Sequence, residues 1–151
     1  MGILSLLYML TLAGVTEQPA PAGLSFWAVQ AVSEQRTEKY FGAGLDEIRD
    51  EVGSLPFDSF YLIAGVHQNI AFGQEARIPI DKRYTLYVAP VSRDADTRLT
   101  LALRLELMPA QPEEKPIIAL STKVTFASGS KIKLGGFRLD RGELVLVLAG
   151  R

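Results

Sequence analysis

Between residues 98 and 107 the chain alternates without a break: Leu99, Leu101, Leu103, Leu105 and Leu107 fall on one side, and Arg98, Thr100, Ala102, Arg104 and Glu106 on the other. A period of two marks a pleated strand with one buried and one wet face. Such strands belong to antiparallel sheets, because parallel sheets are covered on both faces and need crossover helices that this chain lacks. Strand patterns also occupy residues 59–66, 68–72, 84–88, 117–127, 131–134 and 143–148. Residues 25–32 are apolar on both faces, which predicts a central strand. Turn chemistry separates the segments at Arg93-Asp94-Ala95-Asp96, Ser128-Gly129-Ser130 and Asp140-Arg141-Gly142, so the last three strands read as a meander. Pro109, Pro112 and Pro116 mark a longer exposed loop.

Helical spacing occurs once, at Leu45, Ile48 and Val52. Asp46 and Glu47 favour the positive end of its dipole, and Gly53 supplies a stop, which predicts a short helix over residues 45–53. No repeat of 20 to 50 residues is visible, so a solenoid or propeller is not expected. The fold expected is mainly β: an antiparallel sandwich or strongly curved sheet of about seven or eight strands with one short helix.

Residues 3–15 are almost wholly apolar, interrupted by Ser5, Thr11 and Gly14. At about 1.5 Å per residue this run reaches about 20 Å, short of the roughly 30 Å hydrocarbon layer, so it is expected to be a signal-peptide core rather than a stable membrane span. Small residues at cleavage spacing stand at Thr11 and Ala13 and again at Ala20 and Ala22, around Pro19 and Pro21. Residues 1–22 are therefore expected to be a signal peptide and Pro/Ala linker, and 23–151 a single β-rich domain that is exported to the periplasm or outside the cell. The absence of Lys or Arg before the apolar run runs against this reading.

With 151 residues, 48 % of them hydrophobic, one domain can build a core, and a net charge of -1 gives no global field for a polyanion. Nucleic acid is not an expected partner. No cysteine is present, which removes disulfides, thiolate metal sites and cysteine nucleophiles. A single histidine, His67, cannot build a zinc or copper site without further nitrogen or sulfur ligands. As a general base it would need an orienting partner, and its neighbours Val66, Gln68 and Asn69 supply none. Asp94 and Asp96 read as a hairpin turn rather than a calcium loop. Asp46, Glu47, Asp50 and Glu51 read as the wet face of the helix. Gly42 and Gly44 lack the lysine and third glycine of a phosphate loop. No catalytic residue, cofactor or metal is expected.

Five cations, Lys123, Lys131, Lys133, Arg138 and Arg141, make the final strands locally basic, and alternation sets Lys131 and Lys133 on one face beside Lys123. With Phe26 and Trp27 near the linker, and strand edges open to pairing, they are the candidate contacts with another protein or a second copy. Thr122-Lys123-Val124-Thr125-Phe126, a turn, Lys131-Ile132-Lys133-Leu134-Gly135-Gly136 and residues 144–148 resemble the strand, turn, strand and double-glycine pattern of the outer-membrane secretin domain. That resemblance implies an envelope setting, although the chain is too short for a secretin pore. The expected function is an exported, non-catalytic subunit of an envelope or extracellular assembly. The alternative is a carrier of a small apolar ligand, in a cavity lined by Phe57, Phe60, Tyr61, Phe72, Tyr84 and Tyr87.

Overall fold

The computed structural model describes residues 20–150, so the apolar run at residues 3–15 lies outside the described residues. Among the described residues the chain forms β1 (Ala22–Val32), β2 (Tyr40–Phe41), a 3-10 turn (Asp46–Ile48) leading into α1 (Arg49–Gly53), β3 (Ser59–Ile70), β4 (Ala76–Pro79), β5 (Tyr84–Arg93), β6 (Arg98–Leu107), β7 (Ile117–Ala127), β8 (Lys131–Arg138) and β9 (Glu143–Gly150). The strands make two open sheets, ordered β2-β3-β1-β9-β8 and β4-β5-β6-β7. Pairing is antiparallel except where the two residues of β2 run parallel to β3.

The two sheets face each other across one core. The leucines of β6 that alternation turned inward, Leu99, Leu101, Leu103 and Leu105, meet Leu24, Phe26 and Ala28 of β1 and Leu144, Leu146 and Leu148 of β9. The odd face of β1 and β9 has its own cover. Trp27, Val29, Ala31, Val145 and Val147 on the outside of the first sheet pack with Phe60 under Leu45, Ile48 and Val52. This explains why residues 25–32 are apolar on both faces: β1 lies between a sheet on one side and the helical segment on the other. A helix this short has no stability of its own. Burying its three apolar residues, at roughly 1.5–3 kcal/mol each, holds it on the sheet.

The architecture agrees with the expected antiparallel sandwich, and three details differ. Residues 59–66 and 68–72 are not two strands; β3 runs unbroken through His67. Its pattern is irregular because a bulge opposite Ala28 and Val29 makes the register skip Ile63, so Ala64 and Val66 face the main core while Phe60 and Leu62 face the helical layer. Second, the final three strands are not a meander. β7 pairs with β6 and β8 with β9, so the Ser128-Gly129-Ser130 turn carries the chain from one sheet to the other. Third, Gly53 closes α1 as its last residue, and Ser54 follows in the right-handed helical region. The stripe of Leu45, Ile48 and Val52 is buried as the spacing required.

Candidate functional site

The five cations do not meet on one surface. Lys131 and Lys133 stand on the outer face of the first sheet and grip the helical segment: Lys131 Nζ donates to the Glu47 carbonyl at 2.8 Å and lies 3.4 Å from the Glu51 carboxylate. Lys133 Nζ donates to the Glu51 carbonyl at 3.1 Å and to Ser54 Oγ at 2.8 Å. The Glu51 carbonyl also accepts the Ser54 hydroxyl at 2.9 Å, so Lys133, Ser54 and Glu51 form one small network that ties β8 to the end of α1. Lys123 stands on the outer face of the other sheet, opposite Ala102. Arg138 ends β8, where its carbonyl accepts the Tyr84 hydroxyl at 2.6 Å. Arg141, in the next turn, lies 3.4 Å from Glu34. The basic face expected from alternation fails because β7 and β8 lie in different sheets. Phe26 and Trp27, at 5 % and 6 % exposure, are core residues on opposite faces of β1 rather than contact residues.

The aromatic set of the carrier reading is dispersed as well. Phe57 and Phe60 pack in the helical layer, Phe72 and Tyr84 in the core between the sheets, and Tyr87 lies on the outer face under the Arg104 guanidinium, 4.3 Å away. The space bordered by Phe26, Ile78, Leu86 and Leu146 between the sheets amounts to about 10 Å³, too little for an apolar ligand.

His67 is exposed on β3, directly across from Ser25. Its Nδ1 lies 2.6 Å from Ser25 Oγ, and the Trp27 ring meets it edge-on at 5.9 Å. These residues line an open groove of about 640 Å³ with Glu47, Gln68, Asn69 and Lys131. Among the described residues no carboxylate or amide holds the imidazole from its other side, and the pair there lacks the third group that orients a base toward its nucleophile. No group of three His, Asp or Glu side chains able to hold a metal occurs among the described residues. Asp94 is engaged in its hairpin, where Oδ1 accepts the amides of Asp96 at 3.0 Å and Arg98 at 2.8 Å.

Ionised groups cluster at the opposite end of β1. The Tyr61 hydroxyl donates to Glu34 at 2.5 Å and, with Arg141 and Arg36, holds that carboxyl below the usual range against a smaller desolvation penalty. Asp58 is held low first by the Glu34 amide at 2.8 Å, with further help from Ser59 and the Arg36 amide. These bonds clamp the loop leaving β1, where Gln35 has a φ of 59°. They are spent within the fold.

What remains open is an edge. Among the described residues four strands end the two sheets. β2 has two residues and covers only Ser59 and Phe60, which leaves residues 61–70 of β3 uncovered on that side, with Gly65, His67, Gln68 and Asn69 exposed; β4 has four residues and ends in Pro79, which has no amide to donate. β8 is broken by a register shift at Gly135-Gly136 and carries Lys131 and Lys133. These are devices that blunt an edge against pairing. β7 is eleven residues long, pairs among the described residues on one side only, with β6, and has one register shift, at Ala119 near its start. It begins with Ile117 and Ile118, which are 55 % and 59 % exposed. That edge position is a property of sheet order and could not be read from the sequence; two isoleucines following Pro116 were the available signal.

Comparison with known protein families, with curated proteins and with solved structures returns no match.

Proposed function

We propose that this chain is an exported, non-catalytic β-domain that serves as a protein-interaction subunit of a cell-envelope or extracellular assembly, and that its contact is the free edge of β7. The observation that carries this reading is that β7 is eleven residues long, pairs among the described residues only with β6, and begins with two exposed isoleucines, whereas the uncovered stretch of β3 beyond Phe60 exposes Gly65, His67, Gln68 and Asn69. An unpaired strand presents a row of amides and carbonyls to which an extended segment of a partner can add, its backbone giving affinity and its alternate side chains specificity. Export is supported by the apolar run at residues 3–15 and by Pro19 and Pro21 after it.

The test is site-specific cross-linking in the source cell. A photoreactive residue replaces Ile118 or Thr125 on β7, and Gln68 on β3 or Arg77 on β4 as controls. Both β7 positions should give an adduct of one discrete size that the controls do not give. Adducts of the same kind from all four positions, or from none, refute the edge. Recovery of the chain with Met1 intact from a cytosolic fraction refutes export.

A further inference from the structure

The side chains of β7 restrict what can pair with it, an argument that rests on the edge reading above. Ser121, Lys123, Thr125 and Ala127 lie opposite Arg104, Ala102, Thr100 and Arg98 on the wet face of the sheet. Leu120, Val124 and Phe126 point the other way, toward the core. Leu120 and Val124 are only half-buried, and so are Ile132, Leu134 and Phe137 on β8, the last strand of the facing sheet. The seam between the two sheets is thus apolar and incompletely covered on this side. A strand added to β7 would lay every second side chain over that seam and the rest on the wet face.

On the wet face the recognition element is Lys123. It is the one charged residue of β7 and is exposed, and its ammonium has no partner among the described residues. Arg104, one strand in, is by contrast held by Glu75 and Glu106, each at 3.2 Å. A second copy of β7 fits this edge badly. Pairing residues 117–127 against themselves over their full length sets 117 opposite 127 and therefore Ser121 opposite Lys123, which makes the two Lys123 residues diagonal neighbours with backbones about 7–8 Å apart, within reach of their long side chains. A register centred on Lys123 sets them face to face. Like charges in either arrangement destabilise a strand pair.

We infer that the β7 edge takes an extended segment of a different protein, with apolar residues at alternate positions and a carboxylate placed opposite Lys123. Charge complementarity would fix the register and exclude self-pairing, while the seam residues give the buried area.

Two short synthetic peptides test this, each alternating Val with Thr and differing only in a central outward-facing Glu or Lys, titrated into the full isotope-labelled chain and followed by amide chemical shifts. Shifts should be centred on β7, with β6 and the seam residues Ile132, Leu134 and Phe137 of β8 affected beside it, the Glu peptide should bind about three- to fivefold more tightly at low salt, and Lys123→Glu should reverse that preference. Equal binding of both peptides at β7 overturns the carboxylate while leaving the edge intact. No shift in β7 with either peptide overturns both. Concentration-dependent dimerisation of the chain alone, with β7 amides protected, assigns the edge to a second copy and overturns the inference.

Discussion

Replacing Val147 by Ala measures whether the outer face of the first sheet is a core. Val147 is fully buried on β9, opposite Trp27 of β1 and Lys133 of β8, in the cluster closed by Leu45, Ile48 and Val52. On a bare sheet face the substitution would change stability by less than about 0.5 kcal/mol. Beneath the helical segment it removes two methyl groups from a dry site, about 1.6 kcal/mol at roughly 0.8 per group. The space left behind adds up to about 1 kcal/mol, because a packed layer relaxes only in part. The expected loss is therefore about 2–3 kcal/mol, a fall in Tm of about 4–12 °C for a chain of this size. Urea unfolding followed by circular dichroism and by the fluorescence of Trp27, the sole tryptophan, checks it, with coincident transitions establishing two-state behaviour. Arg98→Ala, on the wet face of β6, is the control and should stay within about 0.5 kcal/mol. A Val147→Ala loss no larger than that of the control would refute a second layer over β1 and β9.

Three further outcomes follow from named contacts. Gly142 has a φ of 78°, and a Cβ there would overlap the Ala31 carbonyl oxygen, whereas Gly129, at 86°, has open space around it; Gly142→Ala should therefore lower Tm clearly more than Gly129→Ala, whose cost is about 1 kcal/mol of backbone strain alone, and equal shifts would refute the packing of this turn against β1. Glu34 and Asp58 both have folded-state pKa values below the usual carboxylate range. Their contribution is complete above that range and is lost as pH falls through the lowered values, so Tm should drop on acidification and Asp58→Asn should flatten that drop; an unchanged acid limb in the variant speaks against the clamp. Under the proposed export, processing should occur upstream of Ala20, because Ala22 is fully buried and pairs with Ile70 at the start of β1; intact-mass measurement that finds a chain beginning at Gly23 overturns this.

The elements themselves were legible in the residues, because side-chain alternation is a local consequence of the pleat. β6 and β7 span the residues that the pattern marked, 98–107 and 117–127, and the buried stripe of Leu45, Ile48 and Val52 needed only its spacing. The two-sided apolarity of residues 25–32 announced a central strand, although not that the cover on one side would be a helical segment. Where alternation was disturbed, the reading failed. A bulge changed the face of β3 in mid-strand, and the short β2 and β4 carry too few residues to show a period.

Which strands become neighbours is a different kind of information. Ser128-Gly129-Ser130 reverses the chain equally well within one sheet or between two, so nothing local distinguishes a hairpin from the crossing that occurs. The choice is made by burial: β9, apolar on both faces, must lie between the core and the helical layer, and β8 follows it into that sheet. With that choice Lys123 parts from Lys131 and Lys133, Ser25 meets His67 across 42 positions of sequence, and β7 is left as an edge. Residue order determined which stretches are strands and which faces are apolar. Only the packing of those faces against one another decided where the free edge, and with it the candidate contact surface, would be.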